Sequence, residues 1–282
     1  MTVQNALREG HNLLFYAEVD TPVLDATVLL GEALDISKER LFASLPEVID
    51  GDSYQKYRDM LDRRCSGIPV SYIRNKKEFF GLEFYVDGRV LVPRPDTETL
   101  VEALLGFIDK NPEPLKIHDT CTGSGCVAIS VKLNNPDLDI SASDISPEAG
   151  EVFAINSYVL LGYQLPFYRS DLLQQVPGNF DLISANPPYL LESEVDNLSK
   201  IGWPEPELAL RGGIAGTAPA ERLIIDSAFR LKAGGAIFLE SAAGQMERLK
   251  AHLLASGYSE IEVFKDLGGR DRVVSARWRR CV

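Results

Sequence analysis

Cysteine is scarce in this chain: the four residues in 282, Cys65, Cys121, Cys126 and Cys281, include no C-x-x-C pair. That spacing suggests neither a zinc site nor a redox pair, so no metal is expected and the thiols are read as reduced. No apolar run reaches the roughly eighteen residues of a membrane span. The start, Met1-Thr2-Val3-Gln4-Asn5, lacks the charged and apolar regions of a signal peptide, which predicts a soluble, cytoplasmic protein with no membrane partner. Basic residues are in deficit, 29 against 41 acidic ones, for a net charge of −12. That sign opposes a partner held by its phosphates and argues against direct binding of nucleic acid. Arg63, Arg64, Lys76, Lys77 and the tail Arg277, Arg279 and Arg280 could form local basic patches but read as solvated faces. Internal repeats and low-complexity segments are absent.

What is present suits a packed protein with one large and one small domain, since 45% of the residues are hydrophobic. Before residue 70 the periodicity is helical. Ala6, Leu7, Gly10, Leu13, Leu14 and Ala17 share one face, and Asp20-Thr21-Pro22 opens a second helix whose core face is assigned to Val23, Leu24, Val28, Leu29, Leu30, Ala33 and Leu34. Ser37 and Ser53 are the expected caps of a short third helix and a longer fourth one. From Val70 to Val92, short aromatic and β-branched runs around Gly81 predict a hairpin. Val92-Pro93-Arg94-Pro95 leads into a helix started by Asp96, Thr97 and Glu98, and Arg94, fixed between two prolines, is a candidate to orient substrate or a domain contact.

Two motifs carry chemistry. Leu115 to Asp119 reads as a strand running into Thr120-Cys121-Thr122-Gly123-Ser124-Gly125-Cys126 and then a helix. Strand, glycine turn and helix form a nucleotide site, because a ligand can lie on bare backbone and face the free N–H groups of the helix start. Gly123, Gly125 and Ala128 also satisfy G-x-G-x-x-A, which keeps a nicotinamide or flavin open, and Asp144 about twenty positions on would hold ribose hydroxyls in either case.

The second motif, Asn186-Pro187-Pro188-Tyr189, closes the apolar run Phe180 to Ala185. Proline is rejected from strand interiors, so this backbone serves something besides pairing: a stiff loop offering carbonyls, an amide and an aromatic ring that together can grip a planar NH2 group. Strands are expected at Leu115 to Asp119, Asp139 to Ser143, Pro166 to Arg169 and Phe180 to Ala185, so this loop leaves the fourth. In a doubly wound sheet the first and fourth strands adjoin where the order reverses, and ligands bind beyond their carboxyl ends. The two motifs should therefore share one crevice, a layout suited to transferring a group onto an NH2-type acceptor. The stretch after Tyr189, marked by Pro204, Pro206, Gly212, Gly213 and Gly216, reads as a long irregular insertion and a candidate lid. Further strands are expected at Gly235 to Glu240, Glu260 to Phe264 and Arg272 to Arg277.

These residues resemble the class I S-adenosylmethionine-dependent methyltransferases, and most closely the PrmC/HemK group of protein-glutamine methyltransferases that modify peptide-chain release factors. The resemblance runs through Arg63-Arg64 with Gly67 and Pro69 to Ile73, Glu78 to Phe84, Val92 to Glu98, the glycine turn, Asp144-Ile145-Ser146 and the Asn-Pro-Pro-Tyr loop. It continues in Glu205-Pro206, Ala209-Leu210, Gly212-Gly213 and Asp266 to Arg272. It implies an α/β fold with a doubly wound, mostly parallel, seven-stranded Rossmann-like sheet whose last strand is antiparallel. It also implies a helical substrate-recognition domain over 1–70, a β-hairpin linker over 71–92 and a methyltransferase domain over 93–282.

The same resemblance implies S-adenosyl-L-methionine as cofactor and release factors as protein substrates. By motif, Thr122, Gly123, Ser124 and Gly125 line the cofactor with Cys121 beside them, Asp144 binds its ribose and Leu172 lies beside its adenine. Asp119 is a candidate for ordering the turn or contacting the methionine end. Asn186 and the Pro187 carbonyl would accept the two hydrogens of the substrate amide, with Pro188 holding the turn and Tyr189 packing on the amide plane. The chain departs from the family pattern at Cys121, where glycine is usual, at Ala215 and Thr217, and over Ser241 to Ala243. Glutamine methylation of a ribosomal protein, methylation of an adenine amine, a nicotinamide oxidoreductase and a silent cofactor-binding scaffold remain alternatives at this level.

Overall fold

The computed structural model describes residues 1–111, 113 and 115–279, so the Arg280 and Cys281 named above lie outside the described residues. Tertiary contacts divide the chain into two compact units, Met1–Lys76 and Lys77–Val282.

The first unit holds five helices: α1 (Val3–Tyr16), α2 (Pro22–Leu34), α3 (Lys38–Ala43), α4 (Gly51–Cys65) and α5 (Val70–Arg74). Side chains in non-helical positions start several of them, Thr2 accepting from the Asn5 amide and Ser37 from the Arg40 amide, both at 3.3 Å. The fourth helix is capped by Asp50, whose carboxylate accepts from the Ser53 amide at 2.8 Å; Ser53 is therefore the third residue of that helix instead of its cap. Leu14, Leu29, Leu30, Leu41, Tyr57 and Leu61 form a fully buried core. Val23 and Leu24, assigned above to the core face, are exposed. With Pro22 as the first helical residue, the inward stripe falls on Ala26, Leu29, Leu30 and Ala33. Asp25 is buried instead, and the Arg64 guanidinium bonds its carboxylate at 2.7 Å.

The second unit begins with a hairpin, β1 (Lys77–Phe79) and β2 (Leu82–Phe84), joined by Phe80 and Gly81. Both turn residues have positive φ, 51° and 71°, the backbone a two-residue hairpin loop demands. Phe79 and Phe84 are buried in the core beneath the main sheet, with Leu100 and Leu104 of α6 (Glu98–Asp109). The main sheet uses β3 (Lys116–Thr120), β4 (Asp139–Asp144), β5 (Phe167–Arg169), β6 (Phe180–Ala185), β7 (Leu231–Glu240), β8 (Tyr258–Lys265) and β9 (Asp271–Trp278). Its order is β5-β4-β3-β6-β7-β9-β8, parallel except for β9, which is antiparallel to both neighbours. This is the expected seven-stranded doubly wound sheet. Its other helices are α7 (Cys126–Asn134), α8 (Pro147–Leu161), α9 (Glu192–Lys200), α10 (Ala218–Ala228) and α11 (Met246–Ala255).

The first and fourth strands of the sheet, β3 and β6, adjoin, with Thr120 opposite Ala185, while Thr120 also faces Ser143 of β4. The carboxyl ends of three strands thus level off together, with Asp144 ending β4 and Cys121 and Asn186 following β3 and β6 at the same edge. The segment after Tyr189 is less irregular than expected, since α9 forms inside it. β7 starts four residues before the expected Gly235, its pairing with β6 shifting register between Phe180 and Leu182. Gly234, at φ 79°, and Gly235 are accommodated in that irregularity instead of ending the strand.

Candidate active site

One cavity opens at that edge. Its lining includes Asp119, Cys121, Thr122, Gly123, Ser124, Asp144, Leu172, Asn186, Pro188 and Arg94, so ten of the residues singled out from sequence converge there. Gly125, Pro187 and Tyr189 stand outside the lining. Gly125 caps α7 at φ 82°, and a Cβ there would lie 2.6 Å from the Phe153 ring. Gly123, at φ 53°, would send a Cβ into open space, leaving bare backbone to the cavity. Pro187 is buried and Tyr189 half-buried.

The floor of the cavity is acidic. Asp119 is buried and receives the Ser184 hydroxyl on one oxygen and the Thr122 hydroxyl on the other, each at 2.7 Å. Burial pushes its carboxyl up to about 6, against the lowering effect of those two bonds. Asp144 accepts from the Gly123 amide at 2.9 Å and the Ser146 amide at 3.0 Å; its pKa is also raised, by burial, with the two amides opposing. Cys121 and Leu172 both hold left-handed backbone, φ 56° and 51°, and both line the cavity. Such strain in non-glycine residues persists only where surrounding structure over-determines it.

Asn186 sits at the far wall. Its Nδ2 donates to Oγ1 of Thr97 at 3.2 Å. Behind it lies Glu240, the last residue of β7, fully buried and pushed up to about 7 chiefly by burial, with Thr97, Arg272 and Asn186 holding it down. The backbone of Tyr189 is pinned from two sides. Gln245 donates Nε2 to its carbonyl at 2.8 Å, while the Ser241 hydroxyl donates to Oε1 of the same glutamine at 2.5 Å. Gly212 and Gly216 let the returning chain press against Tyr189: an added Cβ would come within 2.7 Å of its Cα from Gly212 and 2.5 Å of its carbonyl from Gly216.

Arg94 is engaged by the buried carboxylate of Glu205, which also accepts from the Val92 amide at 3.1 Å and Nε1 of Trp203 at 3.0 Å. Farther along the same segment, Arg211 binds Glu192, Asp196 and Glu207 together. Pro206, Leu208, Ala209 and Arg211 also line the cavity. Sequence reasoning missed Thr97, Glu205 as a latch, Gln245 and Glu240. Glu240 left a readable trace as an acid ending the apolar strand run Ala236 to Leu239.

Known proteins resemble this chain over nearly its full length. The PrmC N-terminal domain model matches residues 5–74 and the methyltransferase small domain model matches 96–200. The release factor glutamine methyltransferase of Moorella thermoacetica is 36% identical over 275 residues, 96% of this chain and 97% of that one. That of Clostridium acetobutylicum is 34% identical over 281 residues, 98% of each chain. The chain belongs to the release factor glutamine methyltransferase family. Among solved structures, a methyltransferase from Pyrococcus furiosus superposes with a TM-score of 0.54 at 16% identity, covering 78% of this chain and 99% of its own. The 16S rRNA N2 G1207 methyltransferase of T. thermophilus, solved with AdoMet and guanosine, gives the same score at 16% identity over 73% of this chain and 50% of its own. Both share the fold of the family's larger unit. Among the described residues, no helix is long and apolar enough to cross a membrane.

Proposed function

We propose that this enzyme methylates the side-chain amide nitrogen of a glutamine in a protein, using S-adenosylmethionine, and that its substrates are the Gly-Gly-Gln loops of peptide-chain release factors. The observation that carries this reading is the meeting of Asn186 and the glycine turn in one cavity, at the adjoining ends of β6 and β3. Family membership over nearly the full length supports the substrate.

The residues present fit that cofactor. Bare backbone at Gly123 opens onto the cavity, Asp144 offers carboxylate oxygens for ribose hydroxyls, Leu172 supplies an apolar wall for adenine, and buried Asp119 suits a cationic amino-acid end. When bound, S-adenosylmethionine supplies a methyl carbon made electrophilic by a positively charged sulfur. The chain's own task is to present a poor nucleophile, because resonance ties up the amide lone pair. With Nδ2 of Asn186 turned toward Thr97, Oδ1 is the edge left for one substrate N–H, and the carbonyl of Pro187 is the candidate acceptor for the other. Both bonds strengthen as positive charge grows on nitrogen in the transition state, so no strong base is needed. Pro187 and Pro188 keep these acceptors from moving, and alignment of this kind is worth several kcal/mol, up to about 11 at its best.

Labelled S-adenosylmethionine offered with purified release factor, ribosomal proteins and DNA, followed by mass mapping of the modified residue, tests the reading. Label on the glutamine of a release factor is the expected result. Transfer to adenine or to a ribosomal protein alone would replace the proposed substrate.

A further inference from the structure

We propose that Glu240 is a positioning residue that selects which edge of the Asn186 amide faces the cavity. This inference rests on the amide-gripping reading above and adds a residue to it.

β6 and β7 run parallel with Ala185 opposite Leu239, so Asn186 and Glu240 stand side by side where the strands end. Glu240 is 0% exposed, does not line the cavity, and neither of its oxygens has a regular hydrogen-bond partner. The Thr97 hydroxyl and the Asn186 amide lower its pKa against the effect of burial, as donors that stabilise its charge do. Other charged or titratable groups face it from every side: Arg272 on β9, Asp96 in the turn before α6, Tyr189 after β6, and Cys126 at the start of α7. Arg272 is itself committed to Asp96 at 2.9 Å and Asp266 at 3.2 Å, and its buried Nε has no partner. It lends positive potential without filling either oxygen of Glu240.

An ionised carboxylate only accepts hydrogen bonds. Facing one, the Asn186 amide must turn its NH2 side inward and leave Oδ1 to the cavity. A protonated carboxyl carries a donor, which lets the amide turn over and present N–H groups to a substrate that also presents N–H groups. Burial places the Glu240 carboxyl near 7, so the orienting, charged form dominates above that pH and is lost as pH falls through it.

The test uses the full chain labelled with 15N-asparagine, the Asn186 side-chain signal being the one absent from Asn186→Ala. In the wild type that signal should shift with a midpoint near 7, and in Glu240→Gln it should be flat. Turnover of the wild type should fall through the same midpoint. Glu240→Gln should lose roughly 10- to 100-fold in kcat with little change in cofactor KM. A wild-type signal that does not titrate, the same titration surviving in Glu240→Gln, or wild-type kcat in that variant would overturn the inference. Should Glu240→Gln not fold, Glu240→Asp, which withdraws the carboxylate by one methylene, should displace the Asn186 signal; an unmoved signal overturns it equally. Failure of the wild type to modify any glutamine defeats the functional reading instead and leaves the resonance titration as the judge of Glu240.

Discussion

The side-chain nitrogen of Asn186 is held by the hydroxyl of Thr97, 89 positions earlier in the chain, at 3.2 Å. Removing that hydroxyl in Thr97→Val should therefore lower turnover, by roughly tenfold, while equilibrium binding of S-adenosylmethionine stays near wild type. Asn186→Ala should lose more, on the order of a hundredfold or greater, again with cofactor affinity largely kept. Steady-state kcat alongside calorimetric titration of the cofactor checks both, and weakened cofactor binding with unchanged kcat would reverse the assignment of these two residues.

Cys121 lines the cavity and Cys65 lies on the surface of the helical unit. Burial raises the Cys121 thiol well above its ordinary value, with the charges of Asp144 and Asp119 adding to the effect, so little reactive thiolate is present at neutral pH. A maleimide should label Cys65 first and Cys121 slowly, and S-adenosylhomocysteine should slow Cys121 further. Peptide mapping by mass spectrometry over a time course reads this out. Labelling of Cys121 indifferent to S-adenosylhomocysteine would put the ligand elsewhere.

Glu205 ties Val92, Arg94 and Trp203 to one buried carboxylate. Glu205→Ala should destabilise the protein by about 2 to 4 kcal/mol, less than a fully enclosed ion pair because Arg94 keeps some solvent access. It should also change Trp203 emission and speed proteolysis between residues 201 and 216. Urea unfolding and limited proteolysis measure the two effects; an unaltered cleavage pattern would show that the latch does not restrain this segment.

His118 is buried in β3 with Nδ1 on the Ser141 hydroxyl and Nε2 on the Ser143 hydroxyl, both at 2.9 Å. Burial lowers its pKa from 6.5 to about 3, the charge of Lys116 adding to the effect. Between those values the unfolded chain binds a proton that the folded one refuses, so the stability from this group is complete above 6.5 and drains away as pH falls toward 3. Compared with His118→Gln, the wild type should lose roughly 1.4 kcal/mol of relative stability per pH unit over that window. Denaturant unfolding of the two proteins at matched pH tests it, and a constant difference between them would mean that the histidine does not titrate in this way.

Much of this architecture was readable before any coordinates. The strand Phe180 to Ala185 matches its predicted ends, because two prolines stop it on one side and a short apolar run defines it. The adjacency of β3 and β6 followed from counting strands in a doubly wound sheet, and it brought the glycine turn to Asn186. Errors fell where one residue type supports two structures. Gly235 read as the start of a strand but lies within it, and Val23 and Leu24 read as core although the helix turns them outward. Asp25 and Glu205 are each buried against an arginine from a distant segment, a pairing that no local pattern signals.

The order of residues alone determined the sheet and the crevice where the glycine turn meets Asn186, since proline, glycine and hydrophobic period act locally and survive reading in one dimension. The tertiary structure alone decided what the Asn186 amide donates to, what holds Tyr189, and where the buried carboxylate of Glu240 lies. Those depend on hydrogen bonds between segments far apart in sequence and on exclusion of water, and both arise only when the chain has closed over itself.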